Sequence, residues 1–311
     1  MKYSIIVPVY NEEENVASLH AEITATMQRL NEPFEIIFAD DGSSDSTVKQ
    51  LQTLSPVTII ELRKNFGQTA AMDAGIKHAT GEFIITMDGD GQNPPTEIPK
   101  LIEKMQEGDY DIVSGWRRKR NDPFFKKFIS RGAHTLRSIF VKDHIHDSGC
   151  SLKLYRRTCF ENVDLFGEMH RFIPAVLSWS GYTISEVEVE HRSRKHGETK
   201  YSWKRIVKGF IDMLAVWFWR KYAHRPLHLF GSIGLLLISI GGVLFLYLGV
   251  IKFFMHISIA DSNIPLLAVL LMILGVQFFI SGLLADIAIR QYYSNGRRPY
   301  SIRKVTEIDS K

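Results

Sequence analysis

Cysteine is scarce in this chain: 2 residues in 311, Cys150 and Cys159, nine positions apart. That count and spacing make neither a disulfide framework nor a zinc pattern, and they fit reduced thiols in a cytosolic compartment. No Gly-x-Gly-x-x-Gly follows the first expected strand and no Walker loop occurs, so the usual dinucleotide and P-loop phosphate cradles are missing. Charge is absent from two long stretches, 227–251 and 262–285, which hold no Asp, Glu, Lys or Arg. Each can cross a bilayer as a helix, for which about 20 apolar residues suffice. A pair of buried core helices is the competing account of the same runs. The chain opens directly into a strand, so no N-terminal signal peptide is expected.

The charge that is present has a direction. Lys and Arg crowd positions 192–225 before the first apolar run, and Arg290, Arg297, Arg298, Arg303 and Lys304 follow the second. The connecting loop, 252–261, holds one charge of each sign. The positive-inside rule then predicts a multi-pass protein of the inner (plasma) membrane with both termini and the soluble domain in the cytoplasm. The formal net charge of +4 belongs to a membrane surface on this account, and no motif points to nucleic acid. Positions 206–219 are apolar around much of a helix, with Trp203, Trp217, Trp219 and Tyr222 set among Lys and Arg. That pattern predicts an interfacial helix lying among lipid headgroups. Asp286 and Arg290, one helical turn apart near the end of the second run, read as a local pair at the interface.

The soluble part alternates strand and helix patterns. Strands are expected over 2–10, 34–39, 57–62, 83–87 and 110–115, and a helix over 69–79. Val16, Leu19, Ile23 and Met27 recur at helical spacing and form a core face, with Asn11 as the expected N-cap. This order implies a mostly parallel sheet with helices on both faces. Open sheets of that kind take ligands at the carboxyl ends of their strands. Two such ends carry paired acids. Asp40 and Asp41 close one strand; a capped helix start at Ser44 or Asp45 explains one acid there but not both. Asp88-Gly-Asp90-Gly-Gln92 closes another, before a Pro-Pro break. Two carboxylates flanked by glycines suit a hard divalent cation held against phosphate oxygens, or else form a solvated acidic turn.

Pro8-Val-Tyr10-Asn11-Glu12, Asp40-Asp41-Gly42-Ser43, Asn65-Phe66-Gly67 and Asp88-Gly-Asp90-Gly-Gln92, in this order and spacing, resemble glycosyltransferase family 2 with its GT-A fold. Within it the chain is similar to the polyprenyl-phosphate glycosyltransferases, and the resemblance runs over nearly the whole chain, both apolar runs included. The resemblance implies that Pro8, Tyr10, Glu12, Asp40, Asp41 and Asp88 hold the nucleotide sugar. It implies that Asp88, Asp90 and Gln92 surround Mg2+ or Mn2+, acting as a Lewis acid on the departing nucleoside diphosphate. Arg117 matches an arginine beside donor or acceptor phosphates. Asp147, in Asp147-Ser-Gly149, matches the family's candidate catalytic base. A phosphate monoester with a second pKa of about 6 needs little deprotonation, so a positioning role for Asp147 stays open. Arg192-Ser-Arg194-Lys-His-Gly197-Glu-Thr-Lys200-Tyr201 resembles the family's acceptor loop, with Thr199 where the family has Ser. Arg194 and Lys200 would grip phosphate or anionic lipid heads.

The expected architecture is therefore an α/β GT-A domain over 1–204, an interfacial segment over 205–226, two transmembrane helices within 227–290 and a cytoplasmic tail. The expected activity is inverting transfer of one sugar, glucose from UDP-glucose, to undecaprenyl phosphate. A GDP-mannose donor and a non-catalytic membrane scaffold are the alternatives. A processive polysaccharide synthase is disfavoured, since no Arg-Trp pair occurs. The resemblance also raises a homo-oligomer, with spans packing through small residues.

Overall fold

All seven residues of β1 (Tyr3–Val9) are buried. A strand covered by helices on both faces needs such an unbroken run rather than an alternating one. The computed structural model describes residues 1–118, 145–161, 163, 165, 167, 169–192, 218, 221–222, 225–254 and 262–294. Around β1 the sheet adds β2 (Phe34–Asp40), β3 (Thr58–Glu61), β4 (Phe83–Thr86), β5 (Ile112–Trp116), β6 (Lys153–Arg156) and β7 (Ile184–Glu188). Their order is β3-β2-β1-β4-β6-β5-β7. All pairings are parallel except those of β6, which runs antiparallel between β4 and β5.

One face is covered by α1 (Val16–Leu30) and α4 (Ile98–Gly108), the other by α3 (Gln68–His78) and α5 (Ile173–Trp179), while α2 (Thr47–Leu51) is a single short turn beyond β2. Val16, Leu19, Ile23 and Met27 are buried on the inner face of α1, as their spacing predicts. Burying each large aliphatic side chain contributes about 1.5–3 kcal/mol, so this stripe holds α1 to the sheet.

Asn11 does not cap α1, contrary to the sequence expectation. The helix starts later, after Asn15. Asn11 adopts a left-handed backbone, φ 55°, and its Oδ1 accepts the Ser44 N–H at 2.8 Å. Its amide ties the β1 loop to the β2 loop instead, a role that Asn fills because its short side chain tolerates that conformation. The expected cap Asp45 does accept the Thr47 N–H, at 2.9 Å, but from outside the first turn of α2. The strands β6 and β7 were not foreseen.

Two apolar helices follow, α6 (Pro226–Phe254) and α7 (Ile264–Ser294), both long enough to cross a membrane. They form a compact unit of their own with each other. Leu246, Phe253, Leu266 and Leu284 stand exposed on them, which removes the core-helix account of these runs. Gly234 and Gly275 face each other so closely that a Cβ on Gly234 would lie 2.6 Å from the Gly275 carbonyl oxygen. The small residues thus serve packing within the chain. The side chain of Arg290, the basic segment 119–144, and most of the expected interfacial helix 206–219 lie outside the described residues.

Candidate active site

The carboxyl ends of β1, β2 and β4 bring the motif residues to one edge of the sheet, since β1 lies between the other two. Pro8 is the buried penultimate residue of β1, opposite Ala39. Tyr10, just past the strand, is 46% exposed. Glu12 takes Thr47 Oγ1 with its N–H at 2.9 Å and accepts from Asn15 Nδ2 at 2.6 Å. These residues line the rim where β1 turns outwards.

Asp40 and Asp41 are buried, and their oxygens are engaged by the protein. Asp40 Oδ2 accepts the N–H groups of Gly42 and Ser43 at 3.1 and 3.0 Å, and Oδ1 accepts the Ser43 hydroxyl. Asp41 accepts the N–H of Phe66 at 2.7 Å and of Gly67 at 2.9 Å. The Asn65-Phe66-Gly67 motif is therefore the loop that Asp41 folds. Gly42 permits this arrangement: its φ is +73°, and a Cβ there would lie 2.6 Å from the backbone carbon of Lys64.

Asp88 and Asp90 differ. Asp88 Oδ1 accepts Gln68 Nε2 at 2.7 Å, from the first turn of α3. Its backbone N–H donates to Ser151 Oγ at 3.0 Å, and Asn93 Nδ2 reaches the same hydroxyl at 2.8 Å. Desolvation of its carboxyl, and then the Asp90 carboxylate beside it, push Asp88 above the usual carboxylate range. Asp90 is buried and accepts the Gln92 N–H at 3.1 Å. Gly89 lets this turn lie against β1, since a Cβ there would come 2.6 Å from Val9 Cγ1. Gln92 Nε2 donates to the Arg192 carbonyl oxygen at 3.5 Å.

Among the described residues no group of three or more His, Cys, Asp or Glu could hold a metal ion by itself. The pair nevertheless fits Mg2+ or Mn2+. Such ions are commonly held by one or two carboxylates and complete their shell with water and substrate phosphate. A bound cation would ease the cost of ionising Asp88, which the Asp90 carboxylate beside it raises.

Arg117 and Asp147 form a buried fork. Arg117 Nε donates to Oδ2 at 2.6 Å, Nη2 to Oδ1 at 2.9 Å, and the Arg117 N–H to Oδ2 at 3.2 Å. Burial opposes the guanidinium charge and the Asp147 bonds outweigh it, so Arg117 is held more firmly charged than usual. Glu186 on β7 accepts the N–H groups of His146 at 3.0 Å and Asp147 at 3.4 Å, and His146 stacks on Trp116. Both oxygens of Asp147 are thus engaged by Arg117. Arg194 and Lys200 lie outside the described residues.

Sequence reasoning assigned no role to Gln68, Ser151, Lys153 or Glu186. Lys153 carried a signal: a lysine between leucines in a short alternating run, which in a sheet covered on both faces must be buried.

Residues 4–164 match the family described as glycosyl transferase family 2. The chain is 38% identical to dodecaprenyl-phosphate galacturonate synthase of Rhizobium johnstonii, over 100% of this chain and 94% of that one. It is 34% identical to undecaprenyl-phosphate 4-deoxy-4-formamido-L-arabinose transferase of Proteus mirabilis, over 99% of this chain and 94% of the other. Among solved structures, glucosyl-3-phosphoglycerate synthase of Mycobacterium tuberculosis with Mn2+ and UDP-glucose has TM-score 0.55 and 14% identity, over 70% of this chain and 78% of that one. That likeness shows the GT-A fold. The chain belongs to glycosyltransferase family 2, on the branch whose named members are polyprenyl-phosphate sugar transferases.

Proposed function

We propose that this enzyme transfers one sugar from a uridine-linked donor to undecaprenyl phosphate or a similar polyprenyl phosphate at the cytoplasmic membrane face. The observation that carries the reading is the pair Asp88 and Asp90 at the strand edge, with Arg117 near enough to feel the charge of Asp88. An acid pair suited to a cation and a buried guanidinium are what a reaction between two phosphate-bearing substrates needs. The catalytic domain would span 1–204 and the interfacial segment 205–226, with α6 and α7 anchoring them.

Asp88 and Asp90 would hold Mg2+ or Mn2+, with Gln68 orienting Asp88 and Gln92 closing the turn around Asp90. When bound, that ion neutralises charge on the departing nucleoside diphosphate. Tyr10, Glu12 and the loops folded by Asp40 and Asp41 would seat the nucleoside. A phosphate oxygen of the lipid forms the new bond to the anomeric carbon while the bond to the donor's β-phosphate oxygen breaks, giving inversion. Arg117 orients a phosphate, and Asp147 holds Arg117 rather than taking a proton. Arg194 and Lys200 would add to the grip on the lipid phosphate.

For the sugar, the names of the relatives rank galacturonate and 4-deoxy-4-formamido-L-arabinose ahead of the glucose expected from sequence. The test is label transfer into lipid by the full chain in detergent, with undecaprenyl phosphate and Mn2+. The donors are UDP-galacturonate, UDP-4-deoxy-4-formamido-L-arabinose, UDP-glucose and GDP-mannose. Transfer from one uridine donor, abolished by EDTA and restored by Mn2+, is expected. Transfer from GDP-mannose alone would overturn the donor reading, and transfer from none would overturn the transferase reading.

A further inference from the structure

Lys153 is the first residue of β6, opposite Thr86 of β4 and Ser114 of β5, and is 3% exposed. Its Nζ donates to the Cys150 carbonyl oxygen, and to the Ser148 carbonyl oxygen at 3.4 Å. Among the described residues it forms no ion pair within 4.0 Å. Desolvation pulls the Lys153 pKa below its ordinary value, opposed by Cys150, Asp147 and Asp88. Burying an amine is costly unless its donors are matched. Here the amine is spent on the backbone of the turn that joins Asp147 to Ser151.

That turn has a functional residue at each end. Asp147 at its start forks Arg117. Ser151 at its end receives the Asp88 N–H and the Asn93 amide. The Cys150 N–H closes the turn onto the Asp147 carbonyl at 3.3 Å.

We infer that Lys153 is a positioning residue for the transfer reaction: by pinning the 148–150 turn, it sets the Arg117–Asp147 fork and the Asp88 strand end in one fixed arrangement. This rests on the transferase reading above. A misplacement of about 1 Å in such a constellation can cost about a hundredfold in rate.

The test uses the full chain in detergent and Lys153→Met, which keeps the apolar stem and removes the charge. The variant takes a donor from the Cys150 and Ser148 carbonyl oxygens, so some loss of Tm is expected and kcat is measured well below the lower Tm of the two proteins. The expected result is a kcat about a hundredfold lower with donor KM changed less than about threefold. Combined with Asp147→Asn, the loss should be no larger than that of the worse single variant, because both act through one turn. Multiplying losses, or a wild-type kcat in Lys153→Met, would overturn the inference, as would a kcat loss that only tracks the folded fraction. Amide hydrogen exchange is the readout independent of turnover. Exchange at the Asp88 and Cys150 N–H groups should rise at least about tenfold in Lys153→Met, with β1 and β2 amides unchanged. If the wild type transfers nothing, the transferase reading fails while the exchange result still judges Lys153. Unchanged exchange at Asp88 overturns the inference.

Discussion

The ends of β2 and β4 carry the same sequence signal, paired acids before a glycine, and the fold uses them in opposite ways. At the end of β2, Asp40 and Asp41 accept backbone N–H groups from Gly42, Ser43, Phe66 and Gly67. Their negative charge is spent on shaping two loops. At the end of β4, the Asp88 carboxyl takes a bond from the Gln68 side chain instead, and its own desolvation and then the Asp90 carboxylate beside it raise its cost of ionisation. One motif can thus shape loops or leave an acid whose charge a cation would ease.

Four variants sharpen or break that contrast. Arg117→Ala has the largest expected effect, because it leaves Asp147 buried without its partner. Stability should fall by about 3–5 kcal/mol, seen as a lower denaturant midpoint, and Arg117→Ala with Asp147→Asn should recover part of it. Asp90→Asn should leave the fold intact and reduce transfer at least about a hundredfold, equivalent to about 2.7 kcal/mol of barrier. Donor titration by calorimetry in Mn2+ would show weaker metal-dependent binding at the same Tm. If Asp90→Asn instead costs only stability, the two strand ends are alike and the contrast is lost.

Asp41→Ala should do the reverse. It strands the Phe66 and Gly67 N–H groups and lowers stability by about 1–3 kcal/mol, measured by chemical unfolding. Any loss of turnover should follow from a higher donor KM. The smallest effect is Glu35→Gln. Burial alone would raise the Glu35 pKa, but bonds from Ser4 Oγ and from Thr80 and Gly81 outweigh it and hold it below its ordinary value. A lowered carboxyl contributes stability that is present above the unfolded pKa and is lost as pH falls through the folded one. Tm of the wild type should therefore fall on acidification below about pH 4.5, and Glu35→Gln should flatten that limb.

Much of this was legible in the sequence because it lay in local patterns. The buried strands, the α1 stripe and the two uncharged runs are read from period and length alone. The acids at 40, 41, 88 and 90 could be placed at strand ends, but not told apart. What separates them is donor supply from residues 25 positions away, as with Phe66 and Asp41. Asn11 misled for a related reason: an Asn before acids is a cap signal, and a cross-loop bond to Ser44 won. β6 was missed because an antiparallel strand inserted in a parallel sheet follows no βα alternation. Lys153 and Ser151 gain their roles only from that insertion.

The fork between Arg117 and Asp147 joins positions 30 apart in the chain. It is therefore also a clasp on a loop. The chain departs from the sheet after β5 and rejoins it at β6, and the fork fixes the two ends of that excursion side by side. Fixing the ends of a segment removes end-to-end freedom whose entropy grows only slowly with its length. The clasp therefore holds the two sides of the β5–β6 neck together whatever sequence lies between them.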